Sequence, residues 1–127
     1  MTCVLIVDDD DVLRMLMRHL LASMGCDVAD ARNGVDAEEV AARIQPDLVL
    51  LDIMMPIQDG YETASNLRRS GYSGSIVMCS SLQAKHEEVR TQSAGADGYI
   101  QKPFTRDSIW PILNSLRAQK AVSADSR

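Results

Sequence analysis

The sequence predicts an α/β domain in which a five-stranded parallel sheet carries five helices on its two faces. Short β-branched or apolar runs alternate five times with longer stretches of helical period, as βαβ units do. The third and fourth short runs, Leu48 to Leu51 and Ile76 to Cys79, are apolar throughout, as strands covered on both faces are. The residues just after the runs are chemically unusual, and open parallel sheets bind ligands beyond the carboxyl ends of their strands.

The first strand is placed at Val4 to Val7. In the helix after it, Val12, Leu13, Leu16, Met17, Leu20, Leu21 and Met24 form a wide apolar stripe at i, i+3, i+4 spacing, which stops near Gly25. A second strand at Val28 to Ala31 leads to a helix from Gly34 to Ile44 with Ala37, Val40, Ala41 and Ile44 inward. The third strand, Leu48 to Leu51, leads to a helix from Gly60 to Arg69 with Tyr61, Ala64 and Leu67 inward. After the fourth strand, a helix from Lys85 to Ala94 offers only Val89 and Ala94 as inward residues, so it is expected to pack most loosely and to move most. The fifth strand, Tyr99 to Gln101, precedes a last helix from Ser108 to Gln119 that buries Ile109, Ile112, Leu113 and Leu116. With Ser108 as N-cap, Pro111 falls in the first turn, where proline is tolerated; an earlier start would kink the helix. The domain is thus expected over residues 1–120, with Ala121 to Arg127 a disordered tail of small and polar residues.

Apolar residues make up 46% and charged residues 24% of the 127, a soluble globular balance, and no apolar run approaches the roughly 18 residues of a membrane span. Met1 to Leu5 pass into a strand with no basic segment before them, so a signal peptide is not expected and a cytoplasmic location is. Cys3, Cys26 and Cys79 lack metal-ligand spacing and read as reduced packing residues. The net charge of −5 argues against direct binding of nucleic acid, whose affinity comes from clustered Lys and Arg.

The strand ends bring together Asp8, Asp9, Asp10 and Asp11 after the first strand, Asp52 after the third, Ser80 and Ser81 after the fourth, and Lys102 and Pro103 after the fifth. Carboxylates about 4 Å apart repel by several kcal/mol at an effective dielectric near 20, so Asp8, Asp9 and Asp52 need a counter-charge. Lys102 supplies one unit, and a hard, oxygen-seeking divalent cation such as Mg²⁺, with Mn²⁺ able to substitute, supplies the rest. A carboxylate is a competent nucleophile toward phosphorus once cations allow an anionic donor to approach. Ser80 offers a hydroxyl to a phosphoryl oxygen. Taken singly, Asp52 could be a strand-end turn residue and Lys102 a solvated charge; jointly, four side-chain types at four strand ends point to phosphoryl chemistry. Asp10 and Asp11 read more simply as helix N-terminal residues, Ser81 as a turn residue, His19 and His86 as solvated helix positions, Tyr99 as a partly buried core aromatic, and Met15, Met17, Met24 and Met54 as packing.

At these residues the chain resembles the response-regulator receiver family of two-component signalling, over essentially all of Val4 to Leu116. The likeness lies in Val4-Leu5-Ile6-Val7-Asp8-Asp9-Asp10, in Pro46 to Pro56 with Asp59-Gly60, in Ile76 to Ser80, and in Gly95 to Phe104. It implies a flavodoxin-like sheet of strand order 2-1-3-4-5, an order for which receiver proteins are a known example. It implies Asp52 as phosphoacceptor, Lys102 and Ser80 as its catalytic partners, and Asp8, Asp9, Asp52 and the backbone carbonyl of Met54 as Mg²⁺ ligands. Ser80 and Tyr99 become the switch pair, with serine where threonine is commoner, and the Lys102–Pro103 bond is expected to be cis. The implied partners are a sensor histidine kinase or histidine phosphotransfer protein, and a downstream protein on the face of the fourth helix, fifth strand and last helix.

Three other readings fit less well. A Mg²⁺-dependent aspartyl-phosphate phosphohydrolase needs a second acid two residues beyond its nucleophile, where this chain has Met54. A flavin binder would not place four aspartates where the cofactor's phosphate should sit. An interaction module independent of phosphorylation would have no use for the full set of site residues.

Overall fold

The computed structural model of the chain describes residues 2–80, 90–102 and 104–125. Five strands, β1 (Cys3–Val7), β2 (Asp27–Ala31), β3 (Leu48–Asp52), β4 (Ser75–Ser80) and β5 (Gly98–Gln101), form one parallel sheet of order β2-β1-β3-β4-β5. This is the expected topology. Each strand extends its sequence-predicted run by a residue at one or both ends, because ladder hydrogen bonds do not stop where hydrophobicity does.

Strand alternation sorts the core into two layers. Leu5, Val7, Val49, Leu51, Ile76 and Met78 face α2 (Gly34–Ile44) and α3 (Gly60–Arg69), meeting Ala37, Ala41, Tyr61, Ala64 and Leu67. Val4, Ile6, Leu48, Leu50, Val77 and Cys79 face α1 (Asp11–Ser23) and the last helix, meeting Met17, Leu21, Ile109 and Leu113. Side-chain caps fix the helix starts: Asp10 accepts from the amides of Val12 and Leu13, Asn33 from that of Asp36, and Asp59 from that of Glu62.

The stripe of α1 is narrower than its sequence suggests. Val12, Met15 and Leu16 are 63%, 51% and 56% exposed, because they lie about 100° to 160° around the helix from Met17 at 3.6 residues per turn. Met54, expected to pack, is also exposed, since it sits in the β3–α3 loop beyond the sheet edge. The helix expected from Lys85 is seen as α4 over residues 90–93, with Ala94 buried behind it; Val89 and the looseness expected of this element lie outside the described residues.

The last helix, α5 (Arg106–Asp125), starts two residues early and runs to Asp125, into the segment expected to be a disordered tail. Ser108 is not its N-cap: from inside the first turn its hydroxyl accepts from the Thr105 amide at 2.8 Å and donates to the Thr105 carbonyl at 2.9 Å. Pro111 therefore sits inside the helix, at a cost of one backbone donor toward the carbonyl four residues back. Among the described residues no helix is long and apolar enough to cross a membrane.

Candidate functional site at the carboxyl edge of the sheet

Parallel register carries the predicted residues to one edge. Val7 pairs with Leu51 and Asp52 with Cys79, so Asp8 leaves β1 beside the end of β3. Ser80 pairs with Gln101, and the Lys102 amide then donates to the Ser80 carbonyl at 2.7 Å, which fixes where the lysine leaves β5. Gly60 closes the other side: its amide donates to the Ile53 carbonyl at 2.9 Å, and a Cβ there would lie 2.4 Å from the Asp52 carbonyl oxygen. Only glycine admits so close an approach.

Carboxylate oxygens of Asp8, Asp9 and Asp52 all lie within 4.8 Å of one another. Asp8 and Asp52 are 1% and 5% exposed, whereas Asp9 faces solvent. Lys102 Nζ bridges the buried pair at 2.6 Å from Asp8 Oδ2 and 3.2 Å from Asp52 Oδ1. The remaining oxygen of Asp8 accepts from the Asp10 amide at 2.9 Å, and Asp52 Oδ1 also accepts from the Met54 amide at 3.3 Å.

Burial pushes the Asp52 carboxyl up to about 6, with the Asp8 charge adding to the rise and Lys102 opposing it. Burial works against the Lys102 ammonium, but its hydrogen bond to Asp8 and the charges of Asp52 and Asp8 outweigh that and raise it, so the lysine stays charged. One cation among three carboxylates leaves the cluster short of positive charge. Its donors are all hard oxygens, and Asp9 opens it to water on one side. That set fits a divalent metal such as Mg²⁺.

Ser80 is 1% exposed at the end of β4, one strand from Asp52. Tyr99 is partly buried and packs against the core layer of α2 and α3. Asp10 and Asp11 are the N-cap and first-turn residues of α1, and His19 is exposed. The cysteines are free, and burial pushes the Cys79 thiol up to about 12, so it packs as a neutral group. His86, Ser81 and the bond between Lys102 and Pro103 lie outside the described residues.

Two features of the site have no signal in the sequence. Arg14 reaches back from α1 to donate to the Asp8 carbonyl at 2.8 Å, although nothing in the helical period marks it. Ile57 holds a left-handed φ of 72° in a turn closed by the Gln58 amide on the Pro56 carbonyl at 2.7 Å, a position where glycine or asparagine would have been the legible choice.

The family profile for the response regulator receiver domain matches residues 4–114. The chain is 38% identical to the chemotaxis protein CheY of Halobacterium salinarum over 89% of its own length and 94% of that protein. It is 37% identical to the response regulator MprA of Mycobacterium leprae, again over 89% of its length but only 50% of the relative's. Among solved structures it matches Vibrio cholerae CheY4 with a TM-score of 0.85 at 26% identity, covering 91% of this chain and 98% of the other. It matches the BeF3-activated N-terminal receiver domain of Klebsiella pneumoniae RstA with a TM-score of 0.83 at 35% identity, covering 91% and 99%.

Proposed function

Because the chain belongs to the response regulator receiver domain family, we propose that it takes a phosphoryl group on Asp52 in a Mg²⁺-dependent reaction and signals through contacts made by the modified domain. The supporting observation is the Lys102 bridge between buried Asp8 and Asp52 within a three-carboxylate cluster. That arrangement has a use for a metal and a phosphoryl group that a purely structural edge would not have.

In this reading an Asp52 carboxylate oxygen attacks phosphorus in line. The new O–P bond forms as the P–N bond to a donor histidine breaks, and the departing imidazole takes up a proton. Lys102 neutralises phosphoryl charge as it transfers, and Ser80 donates its hydroxyl to a phosphoryl oxygen. Asp8, Asp9, Asp52 and the Met54 carbonyl would hold the metal, and its chemistry would be to supply the positive charge the cluster lacks. Asp52 must be ionised to attack, and the same cations that draw the donor in favour that form.

The domain acts as a signalling phosphoacceptor whose only catalysis is on itself. Its donor is a sensor histidine kinase or a histidine phosphotransfer protein, and its cellular place is the cytoplasm. The downstream partner binds the face of α4, β5 and α5, where a depression of about 440 Å³ is lined by Val77, Tyr99, Ile100, Ile112 and Leu116.

Incubation with acetyl phosphate and Mg²⁺ should add one phosphate by intact-mass spectrometry. Neither Asp52→Ala nor wild type in EDTA should gain it. Equal uptake by Asp52→Ala, or indifference to EDTA, would overturn the proposal.

A further inference from the structure

Asp8 is held on every side. Its amide donates to the Ala31 carbonyl at 3.2 Å, one carboxylate oxygen accepts from the Asp10 amide, and the other accepts from Lys102. Its carbonyl accepts from Arg14 Nη1 at 2.8 Å. The same guanidinium donates from Nε to Asp30 at the end of β2, at 2.9 Å, and from Nη2 to Asp11 at 2.6 Å. One fork thus ties together the β1–α1 turn, the first turn of α1 and the neighbouring strand. Arg14 is 15% exposed, and its pairing with Asp11 and Asp30 outweighs burial, so its charge is secure.

We infer that Arg14 is a positioning residue for the metal site: by clamping the Asp8 carbonyl against β2, it sets the turn from which Asp8 and Asp9 present their carboxylates. The inference rests on the metal reading given under Proposed function. Its distinguishing feature is a sign. A guanidinium close to a cation site repels the cation, so a side chain acting through charge alone would strengthen metal binding when removed. A clamp acts the other way, because loss of the fork lets the turn relax and separates the two ligands. Groups that orient metal ligands without touching the metal typically carry 10–100-fold of metal affinity. Lysine keeps the charge and most of the reach but cannot serve three acceptors in a plane, so the clamp and the charge also part company in Arg14→Lys.

Mg²⁺ binding to the full chain, followed by titration calorimetry, tests this without recourse to phosphorylation. Arg14→Met should weaken Mg²⁺ binding roughly tenfold or more, and Arg14→Lys should weaken it several-fold despite its retained charge. Arg18→Met removes a cation that pairs with the same Asp30 at 2.8 Å from the next turn of α1, and should leave binding unchanged or tighter. Urea unfolding in EDTA should find Arg14→Lys folded close to wild type, which separates lost affinity from lost fold. If wild type binds Mg²⁺ and both Arg14 variants match or exceed it, the inference falls alone. If wild type binds no Mg²⁺, the metal reading falls and the inference with it.

Discussion

Asp52 sits under opposed demands: its neighbours Asp8 and Lys102 pull its proton in opposite directions, and burial tips the balance, raising the carboxyl above its ordinary range. In the metal-free protein the carboxyl titrates near 6, against 3.8 for the unfolded chain. Between about pH 4 and 6 the native state therefore keeps a proton that the unfolded state has already shed. Stability must then fall as pH rises through that window and level off above it. The loss amounts to something on the order of 3 kcal/mol. Asp52→Asn removes the titration, so in EDTA at pH 7 the variant should unfold at higher urea than wild type and show a flatter pH slope between 4 and 6. Saturating Mg²⁺ should reverse that order, because wild type gains a ligand-stabilised native state that asparagine supports poorly. Identical urea midpoints in EDTA at pH 7, with equal pH slopes between 4 and 6, would contradict this account. Lysine, serine and the three acids were legible from residue type and position after a strand. Arg14 was not, since its role depends on a carbonyl no side-chain pattern reveals.

At the level of elements, what the sequence made plain is what periodicity encodes: strand order followed from the resemblance, while strand and helix placement followed from alternation and stripes. The failures have one physical theme. Val12 and Leu16 share an apolar helix with Met17 yet point elsewhere, because hydropathy does not say how wide the covering surface is. Pro111 and Ser108 suggested a late start to α5, but the Thr105–Ser108 hydrogen bonds supply a start that places the proline inside. The β3–α3 loop was the least legible element, with Met54 66% exposed and Ile57 in a left-handed turn. Its apolar surface bears on the lifetime of the phosphorylated form. Hydrolysis needs a water held in line with the O–P bond, and a thioether two residues from Asp52 offers that water no donor and only a weak acceptor. Met54→Asn should accordingly shorten the half-life of the aspartyl-phosphate several-fold, as read by intact mass over time after the donor is removed. Matching decay rates would show that this position does not govern access of water.

Across the whole molecule, the sheet that assembles the site also carries its consequences outward. The end of β4 bears Ser80, whose carbonyl accepts from the amide of Lys102 just after β5, and Tyr99 lies on β5 two pairs away, in register with Met78. Tyr99 packs against the core layer that includes Ala94 and Ala96, the residues joining α4 to β5. On the proposed reading, a Ser80 hydroxyl drawn toward a phosphoryl group would leave space beside β4 for the Tyr99 ring, and a turn of that ring would disturb its packing on Ala94 and Ala96 and the depression it shares with Ile112 of α5. Close packing makes such a change discrete, since an interior near crystalline density has few intermediate arrangements. Phosphorylation should therefore alter amide hydrogen exchange over residues 90–119 and leave α2 and α3 comparatively quiet. In Tyr99→Ala, Asp52 should take up phosphate nearly as wild type does, because the ring is not among the groups that touch the transferred phosphoryl, while the exchange response is lost. Loss of uptake in that variant would place Tyr99 in the chemistry itself, and an exchange response centred on α2 and α3 would send the signal to the helices of Tyr99's own core layer rather than toward α4 and α5.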